Sequence, residues 1–409
     1  MFRLLSATWL LGFAAALDNG LARLPPMGWM SWTQFKCEVN CTKYPHDCIN
    51  EELYKTMADR LVSDGYFDAG YNRIHVDDCW MAMSRNASGR LVPDPDRFPS
   101  GIKALSKYMH DRNLSFGIYE DWGNKTCAGY PGSNGYIEID AQTFAEWDCD
   151  YLKFDGCFMK AEEQHIGYPL MAKALNATGR PIMFSCEWPF YLEHEHKQDQ
   201  INYTEIAQYC NLWRNYEDIA NSWESVLSII DFYDRMQDKL IPAHGPGQWN
   251  DPDMLIIGMQ NGLTVNQAKV QMTVWSIWSA PLIMSHDLRK TDPVFKEILL
   301  NRDVIAIDQD PMGRMGRLVL KSDNTSVYVK PVTPVQGNDT SFALGVINRH
   351  RTTNHTVEFT LDSVGMNHTA GYNVTDLWSG LYLGTFKPAD TFNFTIPPTS
   401  AVMYKATIM

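Results

Sequence analysis

The sequence has too little positive charge for a protein that binds nucleic acid. Its 35 lysines and arginines stand against 48 aspartates and glutamates, which gives a formal net charge of −13 at pH 7, and the chain has no basic stripe. Nucleic-acid-binding domains use such a stripe to neutralise phosphates. We therefore exclude DNA and RNA as partners.

Long hydrophobic runs are also missing after the first residues. Residues 1–16 carry one early arginine, an apolar run from Leu10 to Ala16, and small residues at Ala14 and Ala16. This pattern predicts a secretory signal peptide. No later segment offers about eighteen uninterrupted apolar residues, so we expect a soluble mature protein without a membrane span.

The sequence contains no clustered metal ligands. Two of its histidines, His194 and His196, lie in a polar segment that has the composition of an exposed loop. We therefore predict no metal and no cofactor.

The cysteines and the glycosylation signals indicate the compartment. Nine cysteines in an oxidising compartment allow up to four disulfides and leave one thiol over. Twelve Asn-x-Ser/Thr sequons lie between Asn40 and Asn393. Both features predict a glycoprotein of the secretory pathway, either lysosomal or secreted.

Strand-like and helix-like segments alternate over most of the chain. The strand candidates are residues 27–32, 73–78, 114–119, 151–157, 182–187, 211–214, 248–250 and 281–284. The helix candidates are residues 51–65, with Asn50 as N-cap, and 102–111, 141–147, 169–175, 226–240, 265–279 and 295–300. Eight strands alternating with helices predict a (β/α)₈ TIM barrel, which we assign to residues 17–316.

The pattern changes after the barrel. Short apolar or alternating runs at residues 319–320, 327–329, 342–347, 357–361, 377–378 and 401–404 are separated by Gly, Asn, Asp and Pro. They predict a C-terminal antiparallel β-sandwich over residues 317–409. Since this region has no clustered titratable residues, we expect it to serve packing and assembly, with a homodimer as the expected oligomer.

The candidate site begins with the segment Lys153-Phe154-Asp155 at the end of the fourth strand. Side chains alternate along a strand, so Lys153 and Asp155 point to the same side. A structural ion pair and a catalytic pair remain equally open from this segment alone. Other polar residues also follow apolar runs, and in a barrel these strand ends share one face. The full set is Asp77, Asp78, Tyr119, Lys153, Asp155, Glu187, Arg214 and Asp253.

Longer motifs carry a family resemblance. They are Leu17-Asp18-Asn19-Gly20-Leu21, Met27-Gly28-Trp29, Asp77-Asp78-Cys79-Trp80, Gly123-Asn124-Lys125-Thr126-Cys127, Lys153-Phe154-Asp155-Gly156-Cys157, Ser185-Cys186-Glu187-Trp188-Pro189, Trp213-Arg214-Asn215, Trp249-Asn250-Asp251-Pro252-Asp253-Met254 and Ile307-Asp308-Gln309-Asp310-Pro311. The chain resembles the animal α-galactosidase A and α-N-acetylgalactosaminidase family, glycoside hydrolase family twenty-seven. The resemblance is near-continuous from Leu17 to about Gly316 and weaker beyond. It implies a retaining exo-glycosidase with a catalytic barrel and a β-sandwich.

The resemblance also assigns the catalytic roles. Asp155 matches the nucleophile that forms a covalent glycosyl-enzyme, and Asp218 matches the acid/base, although the adjacent Glu217 is a rival for the second role. Retention requires two carboxyl groups about 5–5.5 Å apart, one ionised and one protonated at the start. We expect the negative charge of Asp155 to help keep Asp218 protonated.

Sugar recognition is implied in the same way. Asp77 and Asp78 match acceptors for the galactose 4- and 6-hydroxyls. The other expected substrate-binding residues are Trp32 as an aromatic wall, Tyr119, Lys153, Glu187, Phe190, Tyr191, Arg214 and Asp253. Carboxylates and guanidinium groups suit this task because their hydrogen bonds are directional and charge-assisted.

Two positions decide between galactose and N-acetylgalactosamine. In the family, α-galactosidases have Glu and Leu where N-acetylgalactosaminidases have Ser and Ala; this chain has Glu187 and Phe190. Because large residues leave no space for a 2-acetamido group, we expect an α-galactosidase that acts on α-galactoside glycans or glycolipids. The alternatives are an α-N-acetylgalactosaminidase and a galactose-binding protein without turnover.

The resemblance also implies how the cysteines pair. The expected disulfides are Cys37–Cys79, Cys41–Cys48, Cys127–Cys157 and Cys186–Cys210. Cys149 then remains as a buried free thiol.

Overall fold

Eight short parallel strands form one curled sheet. The fold is described from a computed structural model that defines residues 19–409, so the expected signal peptide lies outside the described residues. The strands are β1 Met27–Met30, β2 Arg73–His75, β3 Ser115–Asp121, β4 Tyr151–Asp155, β5 Met183–Cys186, β6 Leu212–Arg214, β7 Trp249–Asp251 and β8 Leu282–Met284. They pair in the order β7-β6-β5-β4-β3-β2-β1-β8, and a parallel bridge from Leu255 to Met284 joins the two ends. The predicted barrel is confirmed.

Helices surround this sheet and follow the predicted alternation. They are α1 Trp32–Phe35, α2 Glu51–Ser63, α3 Tyr66–Ala69, α4 Ile102–His110, α5 Ile137–Glu146, α6 Gln164–Ala177, α7 Trp188–His194, α8 Tyr203–Ile206, α9 Trp223–Leu240, α10 Val265–Trp278, α11 Pro293–Leu299 and α12 Arg302–Asp308. The predicted cap is confirmed, since the Asn50 side chain accepts a hydrogen bond from the backbone N–H of Leu53. The predicted start of the fourth helix candidate at Pro169 is wrong, because α6 begins at Gln164. Pro169 lies inside the helix on its buried face, where packing outweighs the one backbone bond that proline omits.

Two antiparallel sheets follow the barrel. The strands are β9 Arg317–Lys321, β10 Thr325–Gln336, β11 Asp339–Asn348, β12 His355–Thr360, β13 Tyr372–Asp376, β14 Tyr382–Phe386, β15 Thr391–Ile396 and β16 Ala401–Ile408. Six of them pair in the order β14-β13-β16-β11-β10-β9, and β12 pairs with β15. Apolar side chains from both sheets form a second core that includes Val346, Phe359 and Phe392. The predicted C-terminal β-sandwich is confirmed.

The strand predicted at residues 377–378 is wrong. Leu377 and Trp378 form a turn after β13, where the Asp376 carboxylate accepts the backbone N–H of Trp378 at 2.8 Å. The indole of Trp378 instead donates to the Thr273 hydroxyl of α10 at 3.3 Å. This apolar pair therefore packs the second domain against the barrel.

A buried lysine also joins the two domains. Lys330 of β10 is fully buried, and its ammonium donates to the carbonyls of Ser276 and Ile307 at 3.0 and 2.5 Å and to the Ser279 hydroxyl at 2.6 Å. These acceptors belong to the barrel helices α10 and α12 or follow them directly. The lysine therefore satisfies three oxygens that the domain contact removes from water. Within residues 19–409, no helix has the length and apolarity needed to cross a bilayer.

Candidate active site

The predicted polar residues meet at the carboxyl ends of the barrel strands. β4 supplies Lys153 and Asp155, and β6 ends at Arg214. The ammonium of Lys153 lies 3.1 Å from Asp77, which follows β2, and 3.6 Å from Glu187, which follows β5. These contacts bring residues from β4 and from the ends of β2 and β5 into one site, as the barrel predicts.

Three donors orient the carboxylate of Asp155. The Tyr119 hydroxyl donates to one oxygen at 3.0 Å, while the Tyr191 hydroxyl and the backbone N–H of Gly156, at 2.9 Å, donate to the other. A side chain at Gly156 would lie 2.8 Å from the Tyr191 ring and 2.6 Å from Gln164, so glycine is required there. The turn after β4 thus brings Tyr191 onto Asp155 and fixes the direction of its oxygens.

Lys153 is the cation beside this carboxylate. Burial lowers its pKa, but the charges of Asp77, Glu187, Asp155 and Asp218 outweigh burial and hold the pKa well above its usual value. The lysine therefore remains charged.

Arg214 is the second cation of the site. Its guanidinium donates to Asp218 at 2.9 Å and lies 3.3 Å from Asp253 and 3.9 Å from Glu187. Asp253 has a φ of 78°, a left-handed conformation that is rare outside glycine, and one of its oxygens accepts the backbone N–H of Ile219 at 2.8 Å. This backbone turn directs the carboxylate of Asp253 toward Arg214.

The charges around Asp218 oppose the expected retention of its proton. Partial desolvation by the surrounding protein raises the pKa of Asp218, but the charges of Arg214, Lys153 and Lys36 outweigh this effect, so the pKa lies below its usual value. The side chain is 63% exposed, which leaves its carboxylate accessible from the pocket mouth. The rival Glu217 makes a different contact, since its carboxylate lies 2.8 Å from the His194 ring.

Two adjacent aspartates follow β2. Asp77 accepts from Lys153 and, at 2.7 Å, from the backbone N–H of Asp78. Asp78 accepts the backbone N–H groups of Cys79 and Ala128 at 2.6 and 2.9 Å, and burial raises its pKa to about 6. Asp77 therefore faces the cation, whereas Asp78 also holds the loop after β3.

Glu187 has an unused acceptor. The residue is 2% exposed, and its Oε1 has no hydrogen-bond partner among residues 19–409. Burial and the charge of Asp155 raise its pKa well above the usual value, although Lys153 and Arg214 oppose this. A cavity of about 20 Å³, room for about one water molecule, is lined by Glu187, Lys153 and Arg214. Glu187 therefore has an unpaired oxygen and borders a cavity that holds one water-sized group.

Aromatic side chains line the rim. Phe190 and Tyr191 of α7 are half-buried, with ring centroids 5.0 Å apart. Trp32 begins α1, directly after β1, and Lys36 lies 5.4 Å from its ring. The charge of the same Lys36 also helps to lower the pKa of Asp218.

Comparison with known proteins agrees with this geometry. A family model described as Alpha galactosidase A matches residues 24–310, and one described as Alpha galactosidase C-terminal beta sandwich domain matches residues 322–406. The alpha-galactosidase A of Homo sapiens is 50% identical over 343 residues, which are 84% of this chain and 78% of the relative. The chain belongs to the alpha-galactosidase A family, glycoside hydrolase family twenty-seven. The recognition from sequence is confirmed.

Two further relatives have different sugar specificities. The alpha-N-acetylgalactosaminidase of Gallus gallus is 48% identical over 390 residues, which are 95% of this chain and 94% of the relative. The crystal structure of alpha-galactosidase I from Mortierella vinacea superposes with a TM-score of 0.83 at 28% identity, covering 95% of this chain and 98% of that one. The family is therefore shown, while relatives of both sugar specificities are similar to the chain.

The four predicted disulfides of this glycoside hydrolase are confirmed, and Cys149 is free and buried. The bond between Cys127 and Cys157 lies beside the tyrosines that orient the carboxylate of Asp155. The Tyr119 hydroxyl is 3.4 Å from the Cys127 sulfur, and the Tyr191 hydroxyl is 3.3 Å from the Cys157 sulfur. The disulfide therefore forms part of the pocket wall.

The sequence prediction missed two buried aspartates of the site. Asp121 ends β3, pairs in register with Asp155, and accepts the backbone N–H groups of Gly123 and Cys157 at 2.6 and 3.0 Å. Asp251 ends β7 and lines the cavity. The alternation of side chains along a strand could have found Asp121, because it lies two residues after Tyr119.

Carboxylate oxygens of Asp121 and Asp155 lie close to the sulfurs of Cys127 and Cys157. Because these sulfurs form a disulfide, they are not thiolates that could bind a metal, and only the two carboxylates could serve as ligands.

Proposed function

We propose that this glycoside hydrolase is a retaining exo-α-galactosidase. The observation that carries the sugar specificity is the buried, unpaired Oε1 of Glu187; the bulky ring of Phe190 follows three residues later and packs against Tyr191. A galactose 2-hydroxyl can donate to that oxygen. A 2-acetamido group would have to occupy the space that these two side chains fill, and would leave a polar atom unpaired at a cost of about 1–3 kcal/mol.

The proposed reaction is a double displacement. Asp155 attacks the anomeric carbon and forms a glycosyl-enzyme while Asp218 gives a proton to the departing oxygen; water then reverses both steps. The three donors on Asp155 support the first role, because they fix the attacking oxygen. The exposure of Asp218 supports the second, because a leaving group departs through the mouth.

The ion pair of Asp218 sets a condition on this mechanism. Its pKa is held low by Arg214, so the proton it must donate is present only in acid. We therefore propose an acidic pH optimum. Release of Arg214 toward Asp253 and a bound sugar would weaken this pair and help Asp218 to gain its proton.

Recognition of galactose would use the charged residues around the cavity. Asp77 and Lys153 form one group for the 4- and 6-hydroxyls with Asp78, and Arg214 and Asp253 form another on the 2- and 3-hydroxyl side. Each group pairs a cation with a carboxylate, so each offers both donors and acceptors. Trp32 would pack against the apolar face of the ring.

An α-N-acetylgalactosaminidase is the second candidate. The 48% identity to the alpha-N-acetylgalactosaminidase of Gallus gallus over nearly the whole chain favours it. We prefer the first candidate because overall identity averages over the chain, whereas the space beside the sugar 2-position depends on Glu187 and Phe190. A galactose-binding protein without turnover is disfavoured because both proposed catalytic carboxylates are present.

A comparison of two substrates tests the proposal. We expect faster hydrolysis of p-nitrophenyl α-galactoside than of p-nitrophenyl α-N-acetylgalactosaminide, and preference for the second would refute the specificity. Asp155→Asn should abolish turnover of both while the folded protein persists by circular dichroism. A purified Asp155→Asn protein with a near-wild-type rate would refute the nucleophile.

The compartment and the oligomer remain part of the proposal. The four disulfides support an oxidising secretory compartment, lysosomal or extracellular. The natural substrates we propose are terminal α-galactosides of oligosaccharides, glycoproteins or glycolipids. A homodimer is the oligomer we propose, with light scattering as its test.

A further inference from the structure

One short helix contacts both proposed catalytic regions. In α7 (Trp188–His194), the Tyr191 hydroxyl donates to the Asp155 carboxylate. Three residues later, Nδ1 of His194 donates to Oε1 of Glu217 at 2.8 Å. Because Glu217 directly precedes Asp218, α7 links the nucleophile to the acid/base loop.

Aromatic packing makes the two contacts one unit. The Phe190 ring lies 5.0 Å from the Tyr191 ring and 5.6 Å from the His194 ring, measured between centroids. The three side chains therefore pack together along the rim. This packing holds His194 in place, so that His194 can fix Glu217 relative to the residues that contact Asp155.

The acid/base loop is held to the barrel on its other side. Arg214 donates to Asp218 at 2.9 Å, and the backbone N–H of Ile219 donates to Asp253 at 2.8 Å. Both partners belong to the ends of β6 and β7. The contact between Glu217 and His194 is different, because it joins the loop to the helix that contacts the nucleophile.

We propose that His194 and Glu217 are a positioning pair that sets the separation between Asp155 and Asp218 and so aids proton transfer to the leaving group. This inference rests on the proposed function. A retaining enzyme needs about 5–5.5 Å between its two carboxyl groups, and small misplacements of a catalytic group are costly. Both side chains of the pair are about half exposed, so we expect the contact to change the rate by about two- to fivefold.

The test compares leaving groups. A sugar leaving group, as in raffinose, needs a proton from the enzyme, whereas 2,4-dinitrophenolate departs with little help. His194→Ala and Glu217→Ala should each lower kcat/KM for raffinose by about two- to fivefold and leave kcat/KM for 2,4-dinitrophenyl α-galactoside nearly unchanged. Glu217→Gln keeps an acceptor for His194 and should retain most of the raffinose activity.

The double variant decides whether the two residues act through one contact. His194→Ala with Glu217→Ala should lose no more than either single variant, since the second change has nothing left to remove. His196→Asn is the matched control. His196 is exposed, its side chain makes no hydrogen bond within residues 19–409, and asparagine tolerates its φ of 58°. This control should leave the ratio of the two substrates unchanged.

Three results would overturn the inference. Equal losses on both substrates would show a general structural role, and additive losses would show that the residues act separately. A loss in Glu217→Ala far greater than in His194→Ala would make Glu217 itself the acid. Asp218→Asn keeps the inference separate from the proposed function: if that variant loses raffinose activity selectively while the pair variants lose none, only the inference fails.

Discussion

Glu187 offers the most direct test of how the site reads the sugar. The test combines the variant Glu187→Ala with a substrate that lacks the 2-hydroxyl. Lys153 and Arg214 lie 3.6 and 3.9 Å from Oε1 of Glu187, too far for hydrogen bonds. A 2-hydroxyl would therefore give this oxygen a partner that it lacks.

The size of the effect depends on the charge of Glu187. Burial and Asp155 raise its pKa well above the usual value, so we expect a neutral acid in the acidic range. A neutral hydrogen bond contributes about 0.5–1.5 kcal/mol, which corresponds to about 2- to 12-fold in kcat/KM. An ionised acceptor would contribute about 1.5–3 kcal/mol, or about 12- to 160-fold.

The assay is a cycle of two substrates and three proteins. We would measure kcat/KM for an aryl α-galactoside and its 2-deoxy analogue with the wild type, Glu187→Ala and Glu187→Gln. The cycle cancels the intrinsic difference in reactivity between the two substrates. Glu187→Gln should keep most of the coupling because it resembles a neutral acid. A substrate ratio that is identical in wild type and Glu187→Ala would refute the assignment.

Three further predictions concern specificity and stability. Phe190→Ala should raise activity on the α-N-acetylgalactosaminide relative to the α-galactoside by opening space at the sugar 2-position; an unchanged ratio would exclude Phe190 as a determinant. Lys330→Met should lower the free energy of unfolding by about 2–4 kcal/mol, measured in urea, because three buried oxygens lose their donor; a neutral result would show that water replaces the ammonium. His286→Gln should make stability less sensitive to acid. Burial lowers the pKa of His286 to about 4. Between pH 6.5 and 4.5 the wild type therefore gains this proton only when it is unfolded, and its free energy of unfolding falls by about 2–3 kcal/mol. An identical dependence of the free energy of unfolding on pH in the variant would contradict this.

The architecture was predictable because its signals are local and repeated. Each barrel strand is a short apolar run, and the residues after it are polar, so the strand ends could be found without knowing which strands pair. The helix boundary at Pro169 and the strand at residues 377–378 failed for one reason. In both cases, tertiary packing of a buried side chain outweighed the local preference of the sequence.

The convergence of the polar strand-end residues could be predicted from the sequence, but their electrostatics could not. The position of Asp155 in its motif indicated a nucleophile, whereas the lowered pKa of Asp218 depends on a 2.9 Å contact with Arg214 that spacing alone does not reveal. Asp121 and Asp251 were not selected from the sequence because Tyr119 and Asp253, each two residues away, already supplied a polar residue at those strand ends. Electrostatic predictions need distances, and distances between loops are absent from a sequence.

The buried carboxylates of the site connect its stability with an acidic working range. Burial raises the pKa of Asp78 and of Asp251 to about 6, so each favours the folded state below its unfolded pKa of about 3.8 and loses that contribution as the pH rises toward 6. His286 and His244, whose pKa values burial lowers to about 4 and 3, act in the opposite direction between those values and about 6.5. Between pH 4 and 6, the effects of the two aspartates and the two histidines on the free energy of unfolding nearly cancel. These four groups therefore leave the free energy of unfolding nearly unchanged over the acidic range in which the proposed acid Asp218 would gain its proton.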